Sequence, residues 1–209
     1  MEYPCTLVEI AVYCIYGDVM KNAEKLKNSM LPGRVYRRQD LEVYSTAVDR
    51  DLNTLMGNGE VLKLAGGLYY CPHKNAFGLT PPKEREVVQA FLKTDDFLLT
   101  SYNYFNQFGL GLTQVYNTTL VYNHKRTGEY LLGGKRFKFR LVPAYPAELS
   151  REFLLVDLLN NLKRLPDNTA GVLENLKNRL KEFDRTALAA CFKLYGNPGA
   201  KNIFHELYA

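Results

Sequence analysis

The sequence predicts a mixed α+β protein. Apolar residues recur at helical spacing over residues 7–29 and 48–56 and again through much of the C-terminal part, as expected for amphipathic helices. Short β-prone segments flank the glycine pairs Gly66–Gly67 and Gly133–Gly134, a pattern typical of β-hairpins. Together these observations favour helices combined with small antiparallel sheets.

Two domains are predicted from the composition of the linking segment. Two prolines within Thr80–Pro82 follow the polar segment His73–Asn75, and such a stretch commonly separates domains. We therefore assign residues 1–74 to an N-terminal domain and residues 75–209 to a C-terminal domain.

The N-terminal domain is predicted to contain a helix, a strand, two further helices and a hairpin, in that order. Residues 7–29 form one or two helices, Arg34–Tyr36 a strand and Arg37–Val43 a short helix. The hairpin strands are Glu60–Leu64 and Leu68–Cys71. This order is typical of a winged helix-turn-helix, a common DNA-binding domain, although it can also close a small core that serves protein contacts.

The helix before the hairpin is the candidate recognition helix. Ser45 and Thr46 are favourable N-cap residues, and Asn58–Gly59 ends the helix. One face is apolar, with Val48, Leu52, Leu55 and Met56. The opposite face carries the candidate base-reading residues Thr46, Arg50, Asn53 and Thr54. Arginine and asparagine side chains match guanine and adenine edges in a major groove.

Candidate phosphate contacts surround this helix. They are basic residues before it and on the hairpin, namely Arg34, Arg37, Arg38 and Lys63. Asp49 and Asp51 are expected to flank the same face and repel phosphate. Residues 1–75 carry nine basic and nine acidic residues, so bulk charge does not favour DNA binding and is equally compatible with a protein-interaction module.

The C-terminal domain is predicted to be a small antiparallel sheet with helices. The predicted strands are Phe97–Thr100, Thr118–Asn123, Gly128–Leu132 and Lys135–Val142. The predicted helices are Lys83–Leu92, Ser101–Phe108, Glu148–Leu165, Gly171–Phe183 and Arg185–Tyr195, with a short final helix after Asn197–Gly199.

One strand of this domain is strongly basic. Arg136, Lys138 and Arg140 alternate with Phe137 and Phe139, so the basic side chains share one face of the strand. Lys125 and Arg126 precede this strand. The face is either a contact for phosphates or an acidic partner, or the solvated outer side of a sheet.

Catalysis finds little support in the sequence. No nucleophile elbow, P-loop or dinucleotide-binding fingerprint is present, and the adjacent carboxylates Asp95 and Asp96 fit a solvated loop. The cysteines and histidines lack zinc-site spacing. We expect no enzymatic activity, cofactor or metal; a nucleic-acid-processing enzyme using Asp95, Asp96 or Glu129 is the less favoured alternative.

The sequence lacks two features that would indicate a location outside the cytoplasm. No apolar run reaches the length of a membrane-spanning helix, and no signal peptide is evident near Ile10–Tyr16. We expect a cytoplasmic protein with no membrane partner.

Four segments together resemble a known family. They read PGRVYRRQDL, TAVDRDLNTLMGNGEVLKLAGGLYYCP, FGLTPP and LLTSYNYFNQFGL, and they are similar to the AbiEi-like antitoxins of bacterial abortive-infection toxin–antitoxin systems. The resemblance covers about residues 20–145. It implies that a winged helix binds operator DNA and represses its own operon, and that the C-terminal domain neutralises a nucleotidyltransferase-like toxin.

The residues and the resemblance lead to one principal expectation. We expect a transcriptional repressor and antitoxin component whose partners are operator DNA, a cognate toxin and a second copy of the chain, since one small recognition unit makes few specific contacts. A protein-interaction module whose winged helix does not bind DNA is the alternative.

Overall fold

The computed structural model describes residues 22–165 and 169–208. The protein is mixed α+β, with small sheets, and divides into two compact units. The first unit extends to Asp95 and includes Leu131–Gly134, whereas the second contains Asp96–Tyr130 and the chain from Lys135 onward. The predicted helical stretch before residue 22 lies outside the described residues.

The first unit contains the predicted order of elements. The described part of helix α1 covers residues 22–29. It is followed by β1 (Arg34–Arg37), α2 (Arg38–Leu41), α3 (Val48–Gly57), β2 (Leu62–Ala65) and β3 (Leu68–Cys71). β3 is the central strand of a three-stranded sheet and pairs antiparallel with both β1 and β2.

One hydrophobic core joins these elements. Leu26 of α1, Leu41 of α2, and Leu52 and Leu55 of α3 are almost completely buried, and they pack in one cluster that also includes Cys71. The apolar face predicted for α3 is therefore confirmed.

The start of α3 differs from the prediction. Its N-cap is Ala47, and no side chain caps the helix. The Ser45 hydroxyl accepts a hydrogen bond from the Ala47 N–H at 3.0 Å and donates to Asp51 Oδ2 at 2.5 Å. Asp51 is fully buried and requires a donor, so Ser45 serves this carboxylate instead of the first turn.

The first unit continues past the domain boundary predicted between residues 74 and 75. A short hairpin, β4 (Lys74–Asn75) and β5 (Gly78–Leu79), leads to α4 (Glu84–Leu92). The Tyr70 hydroxyl donates to the Thr80 carbonyl at 2.8 Å, and α4 contacts β1. The chain after Pro72 therefore packs back onto the three-stranded sheet of the first unit.

The second unit combines one sheet with a group of helices. Its strands are β6 (Phe97–Thr100), β7 (Thr118–Asn123), β8 (Gly128–Leu132) and β9 (Lys135–Leu141), although the last two residues of β8 are assigned to the first unit. Its α-helices are α5 (Arg151–Asn161), α6 (Thr169–Arg179), α7 (Arg185–Tyr195) and α8 (Pro198–Tyr208). Short 3-10 helices cover Tyr102–Phe108, Leu162–Arg164 and Leu180–Glu182.

The sheet of this unit is mixed, so the prediction of an antiparallel sheet was wrong. The strand order is β6-β7-β9-β8, and β7 is antiparallel to β6 but parallel to β9. Phe137 and Phe139 of β9 are each only 1% exposed. Because β9 carries the aromatic residues that belong in the core, it occupies the central place, and its hairpin partner β8 becomes the edge strand.

Helices cover a second core. Phe153 to Leu159 of α5 are all buried, including Asp157. The aliphatic residues among them pack with residues of the Tyr102–Phe108 segment, α6, α7 and α8, whereas Phe153 packs with Leu98 and Tyr122. The segment predicted as helix Ser101–Phe108 is a 3-10 helix in which Ser101 is the N-cap, as predicted, and accepts from the Asn103 N–H.

The core of the first unit predicts a difference between two leucines. Leu52→Ala removes a completely buried side chain and should lower the free energy of unfolding by about 2–5 kcal/mol, because it leaves a cavity. Leu62→Ala, at a position 37% exposed, is the matched control and should cost less than about 1 kcal/mol. Urea denaturation of both variants measures this difference, and equal losses would contradict the assignment of α3 to the core.

Candidate functional site

The outward face of α3 presents most of the predicted base-reading residues. Thr46, Arg50 and Asn53 are exposed. Thr54 is half-buried, and its hydroxyl donates to the Arg50 carbonyl at 3.1 Å. Because that hydroxyl is already used within the helix, the side chains best placed for an external contact are Arg50 and Asn53, with Thr46 just before the helix.

The two acids near this face are neutralised within the unit. The Arg38 guanidinium donates to both oxygens of Asp49, from Nε at 2.7 Å and from Nη2 at 2.6 Å. These hydrogen bonds hold the pKa of Asp49 below its usual value. Asp51 does not flank the face as expected; it is fully buried, and Arg50 Nε lies 3.6 Å from its Oδ1.

The predicted phosphate contacts are arranged less uniformly than expected. Arg37 forms hydrogen bonds with Asp40, and Arg38 binds Glu42 as well as Asp49. Arg34 is exposed and lies 3.9 Å from Glu86. Lys63 is exposed on β2. The arginines before α3 therefore hold acidic residues of their own unit, while Lys63 extends into solvent.

The basic residues of the second unit have three different surroundings. Lys125 and Arg126 are exposed in the turn after β7, where Asn123 Oδ1 accepts both of their backbone N–H groups at 2.8 Å. Arg136 is exposed, and Lys138 pairs with Glu129 at 2.5 Å. The alternation predicted for β9 is confirmed, but Arg140 is half-buried and lines a pocket.

This pocket, hereafter the polar pocket, lies entirely within the second unit. It has a volume of about 1020 Å³ and is lined mainly by β7, β9, α5 and the end of α7. Its polar cluster consists of Tyr122, Arg140, Asp157, Asn161 and Arg164.

Asn161 connects the two arginines of the cluster. Its Oδ1 accepts from Arg140 Nη1 at 2.6 Å and from Arg164 Nη1 at 2.9 Å, and the Tyr102 hydroxyl donates to the same atom at 3.2 Å. Its Nδ2 donates to Asp157 Oδ1 at 2.8 Å. One amide thus orients both guanidinium groups and the carboxylate.

Asp157 is a buried acid with an incomplete hydrogen-bond shell. Its Oδ1 accepts from the Tyr122 hydroxyl at 2.6 Å, whereas its buried Oδ2 accepts no hydrogen bond from the described residues. Burial raises the pKa of Asp157 to about 6, although the hydrogen bonds and nearby arginines act in the opposite direction. Burial and the adjacent carboxylate also raise the pKa of Tyr122.

Sequence reasoning missed most of this cluster. Tyr122 was noted only as part of a strand, and Asp157, Asn161 and Arg164 only as part of a helix. The available signal was polar residues at i and i+4 within the apolar run FLLVDLLNNL, where a buried polar residue requires a partner. The long sequence separation between β7, β9 and α5 hid the partners themselves.

Two acids of the alternative acidic site, Asp96 and Glu129, have partners of their own. Asp96 accepts a hydrogen bond from the Tyr145 hydroxyl at 2.6 Å and lies 3.9 Å from His124, while Glu129 is held by Lys138. Asp95 belongs to the first unit. Within residues 22–165 and 169–208, no group of three or more histidines, cysteines or acids is placed to hold a metal ion.

Compared with known proteins, the chain matches no family model, no curated protein and no solved structure. In the part of the chain that the structure describes, no helix is both long and apolar enough to cross a membrane.

The buried acid predicts a pH-dependent stability. Because the pKa of Asp157 is about 6 in the folded protein and near 3.8 ordinarily, the folded state binds this proton more tightly. The protonated Asp157 therefore stabilises the folded protein at low pH, and this contribution to the free energy of unfolding is lost as the pH rises through about 6. The stability of Asp157→Asn relative to the unsubstituted protein should rise by about 2 kcal/mol between about pH 4 and pH 7.

Urea denaturation of both proteins across this range measures the effect. Comparing the two proteins cancels the titration of all other groups. A difference that stays constant with pH would show that Asp157 is ionised without penalty in the folded state.

Proposed function

We propose that the first unit is a winged helix that binds DNA and that the protein represses transcription of its own operon. The element order α1-β1-α2-α3-β2-β3 and the sheet order β1-β3-β2 support this proposal. In such a domain α3 enters the major groove and the β2–β3 hairpin lies along the phosphate backbone.

The outward face of α3 is the observation that carries the proposal. Arg50 and Asn53 are exposed on this face. The nearby acids offer little net repulsion, since Asp49 is paired with Arg38 and Asp51 is buried. A face with an arginine, an amide and neutralised acids suits base-edge recognition.

The charge of this unit indicates how the DNA would be held. Arg37 and Arg38 already have close acidic partners. Phosphate contacts therefore fall mainly to Lys63 and to Arg34, whose pair with Glu86 is longer, at 3.9 Å. With few phosphate contacts, the electrostatic, salt-dependent part of the DNA-binding free energy is small. A homodimer bound to two half-sites would double the contacts and supply the affinity that a repressor needs.

The second function proposed for the protein is neutralisation of a toxin by the second unit. This proposal rests on the resemblance to the AbiEi-like antitoxins. The exposed basic residues Lys125, Arg126 and Arg136 suit an acidic surface on such a partner. Co-purification with the product of a neighbouring gene tests it directly.

A protein-interaction module is the second candidate for the first unit. The observation that favours it is the internal pairing of Arg37 and Arg38, because these cations are already engaged by acids. The two candidates differ in whether the exposed face of α3 contacts bases.

Substitution of this face should abolish sequence-specific binding. Arg50→Ala/Asn53→Ala removes two base-reading side chains and should weaken binding to DNA from upstream of the gene by about 30-fold or more, since each bidentate pair contributes about 1–3 kcal/mol. Fluorescence anisotropy with a scrambled duplex as competitor measures this loss.

The matched control removes one cation and one amide from another helix. Lys25→Ala/Asn28→Ala removes one charge and one amide from exposed positions of α1 and should leave specific affinity within about threefold, apart from a weak bulk-charge effect. Equal binding of both duplexes by the unsubstituted protein, or an unchanged affinity of the α3 variant, would favour the protein-interaction module.

The hairpin gives an independent prediction. Lys63→Ala should reduce the slope of log affinity against log salt by about 1 for each bound subunit, because one phosphate contact is lost. This variant should lower the affinity for the specific duplex and for the scrambled duplex to the same extent. A reduced affinity with an unchanged salt slope would place Lys63 away from the phosphate backbone.

A further inference from the structure

We propose that the polar pocket of the second unit binds a small phosphate ester of nucleotide size, with Arg140 and Arg164 holding the phosphate and Asp157 accepting a hydrogen bond from the remainder of the molecule. This inference is independent of DNA binding by the first unit. It rests on the volume of the pocket, its charge, and the hydrogen-bonding capacity that the cluster leaves unused.

The pocket has the size and lining of a small-molecule site. Its volume of about 1020 Å³ lies at the upper end of the range for such sites, about 300–1,000 Å³. Aromatic residues from separate elements line it, namely Tyr102, Tyr116, Phe139 and Tyr195. The Tyr102 and Tyr116 rings meet edge-on, with centroids 5.2 Å apart. Four aromatic side chains in the lining favour a ligand that has a planar or apolar part.

The charge of the lining favours an anion. Five charged residues line the pocket, and Lys138 and Glu129 among them neutralise each other. The others are Arg140, Arg164 and Asp157, which gives one net positive charge when Asp157 is ionised. An anion that contacts both guanidinium groups would compensate this charge.

The two guanidinium groups are already oriented together. Both donate to Asn161 Oδ1, at 2.6 and 2.9 Å, and that acceptor is a neutral amide oxygen. A guanidinium has five N–H donors in a planar fork, and among the described residues these hydrogen bonds use only a minority of the donors of Arg140 and Arg164. Two like charges directed at one neutral atom repel each other, and a phosphate that accepts from both would offset this repulsion.

Asp157 provides the second, independent observation. It is 2% exposed and lines the pocket, and its Oδ2 accepts no hydrogen bond within the described residues. A buried acceptor of this kind normally has a donor. Inorganic phosphate at neutral pH offers few donors, whereas a sugar hydroxyl or a base N–H supplies one. The ligand is therefore larger than phosphate and carries donors.

Isothermal titration calorimetry with defined probes tests the proposal. The probes are the four ribonucleoside 5′-monophosphates, ribose 5-phosphate, inorganic phosphate and adenosine. We expect at least one phosphate ester to bind with a dissociation constant below the millimolar range and more tightly than inorganic phosphate or adenosine.

Arginine variants identify the site of binding. Arg140→Gln and Arg164→Gln should each lower the affinity for the ester by about tenfold or more, because a charge-assisted hydrogen bond is lost. Arg136→Gln is the matched control, since it makes the same change at an exposed position of the same strand. It should alter affinity by less than about twofold, and thermal denaturation confirms that each variant is folded.

The variant Asp157→Asn distinguishes binding of the phosphate group from binding of the rest of the ligand. It replaces the available acceptor by a donor, so it should weaken the ester while leaving the affinity for inorganic phosphate within about threefold. The proposal is overturned if no phosphate ester binds at millimolar concentration, if the pocket arginine variants bind as well as the unsubstituted protein, or if Arg136→Gln causes an equal loss. Equal effects of Asp157→Asn on the ester and on phosphate would overturn the role given to Asp157.

Discussion

A carboxylate removed from water must find hydrogen-bond donors, and this requirement shapes both units of the protein. In the first unit Asp51 is fully buried and takes the hydroxyl of Ser45. In the second unit Asp157 is 2% exposed and takes the Tyr122 hydroxyl and the Asn161 amide. A buried acid without such partners would destabilise the fold by several kilocalories per mole.

The consequences of the two buried acids differ. Asp51 draws Ser45 away from the first turn of α3, so that helix begins without a side-chain cap. Burial of Asp51 also keeps its carboxylate away from the face that carries Arg50 and Asn53. Each acid keeps one buried oxygen that accepts no hydrogen bond from the described residues, Oδ1 of Asp51 and Oδ2 of Asp157, but Asp157 also lines the polar pocket.

Internal pairing also governs the cations. Arg38 neutralises Asp49 beside α3, which reduces the negative charge near the face proposed to bind DNA but engages the guanidinium of Arg38. In the second unit Lys138 is matched by Glu129. Arg140 and Arg164 both donate to a neutral amide oxygen, that of Asn161. Total charge therefore says little about where an anion would bind, because local pairing decides which cations keep their electrostatic field.

The arrangement of β9 connects the fold of the second unit to its pocket. Phe137 and Phe139 require a central position in the sheet, which brings β9 beside β7 in a parallel pairing. The alternate side chains of β9 then lie on the opposite face. Arg140 thereby meets Asn161 of α5, and a strand that alternates aromatic and basic residues becomes one wall of a pocket.

By itself the sequence determined the local elements. Helical spacing identified α3 and α5, glycine pairs identified the hairpins, and alternation identified the two faces of β9, because each of these signals depends on neighbours within a few residues. The candidate face of α3 also followed from its own periodicity, and its exposed residues Arg50 and Asn53 are where that periodicity places them.

Only the tertiary structure decided the pairings between distant residues. The parallel pairing of β7 with β9, the extension of the first unit to α4, and the meeting of β7, β9 and α5 at the polar pocket depend on contacts across long stretches of chain. Such contacts follow from which surfaces pack together and which buried polar atoms must be satisfied. No local pattern encodes them, because each side chain there takes its partner from an element formed elsewhere in the chain.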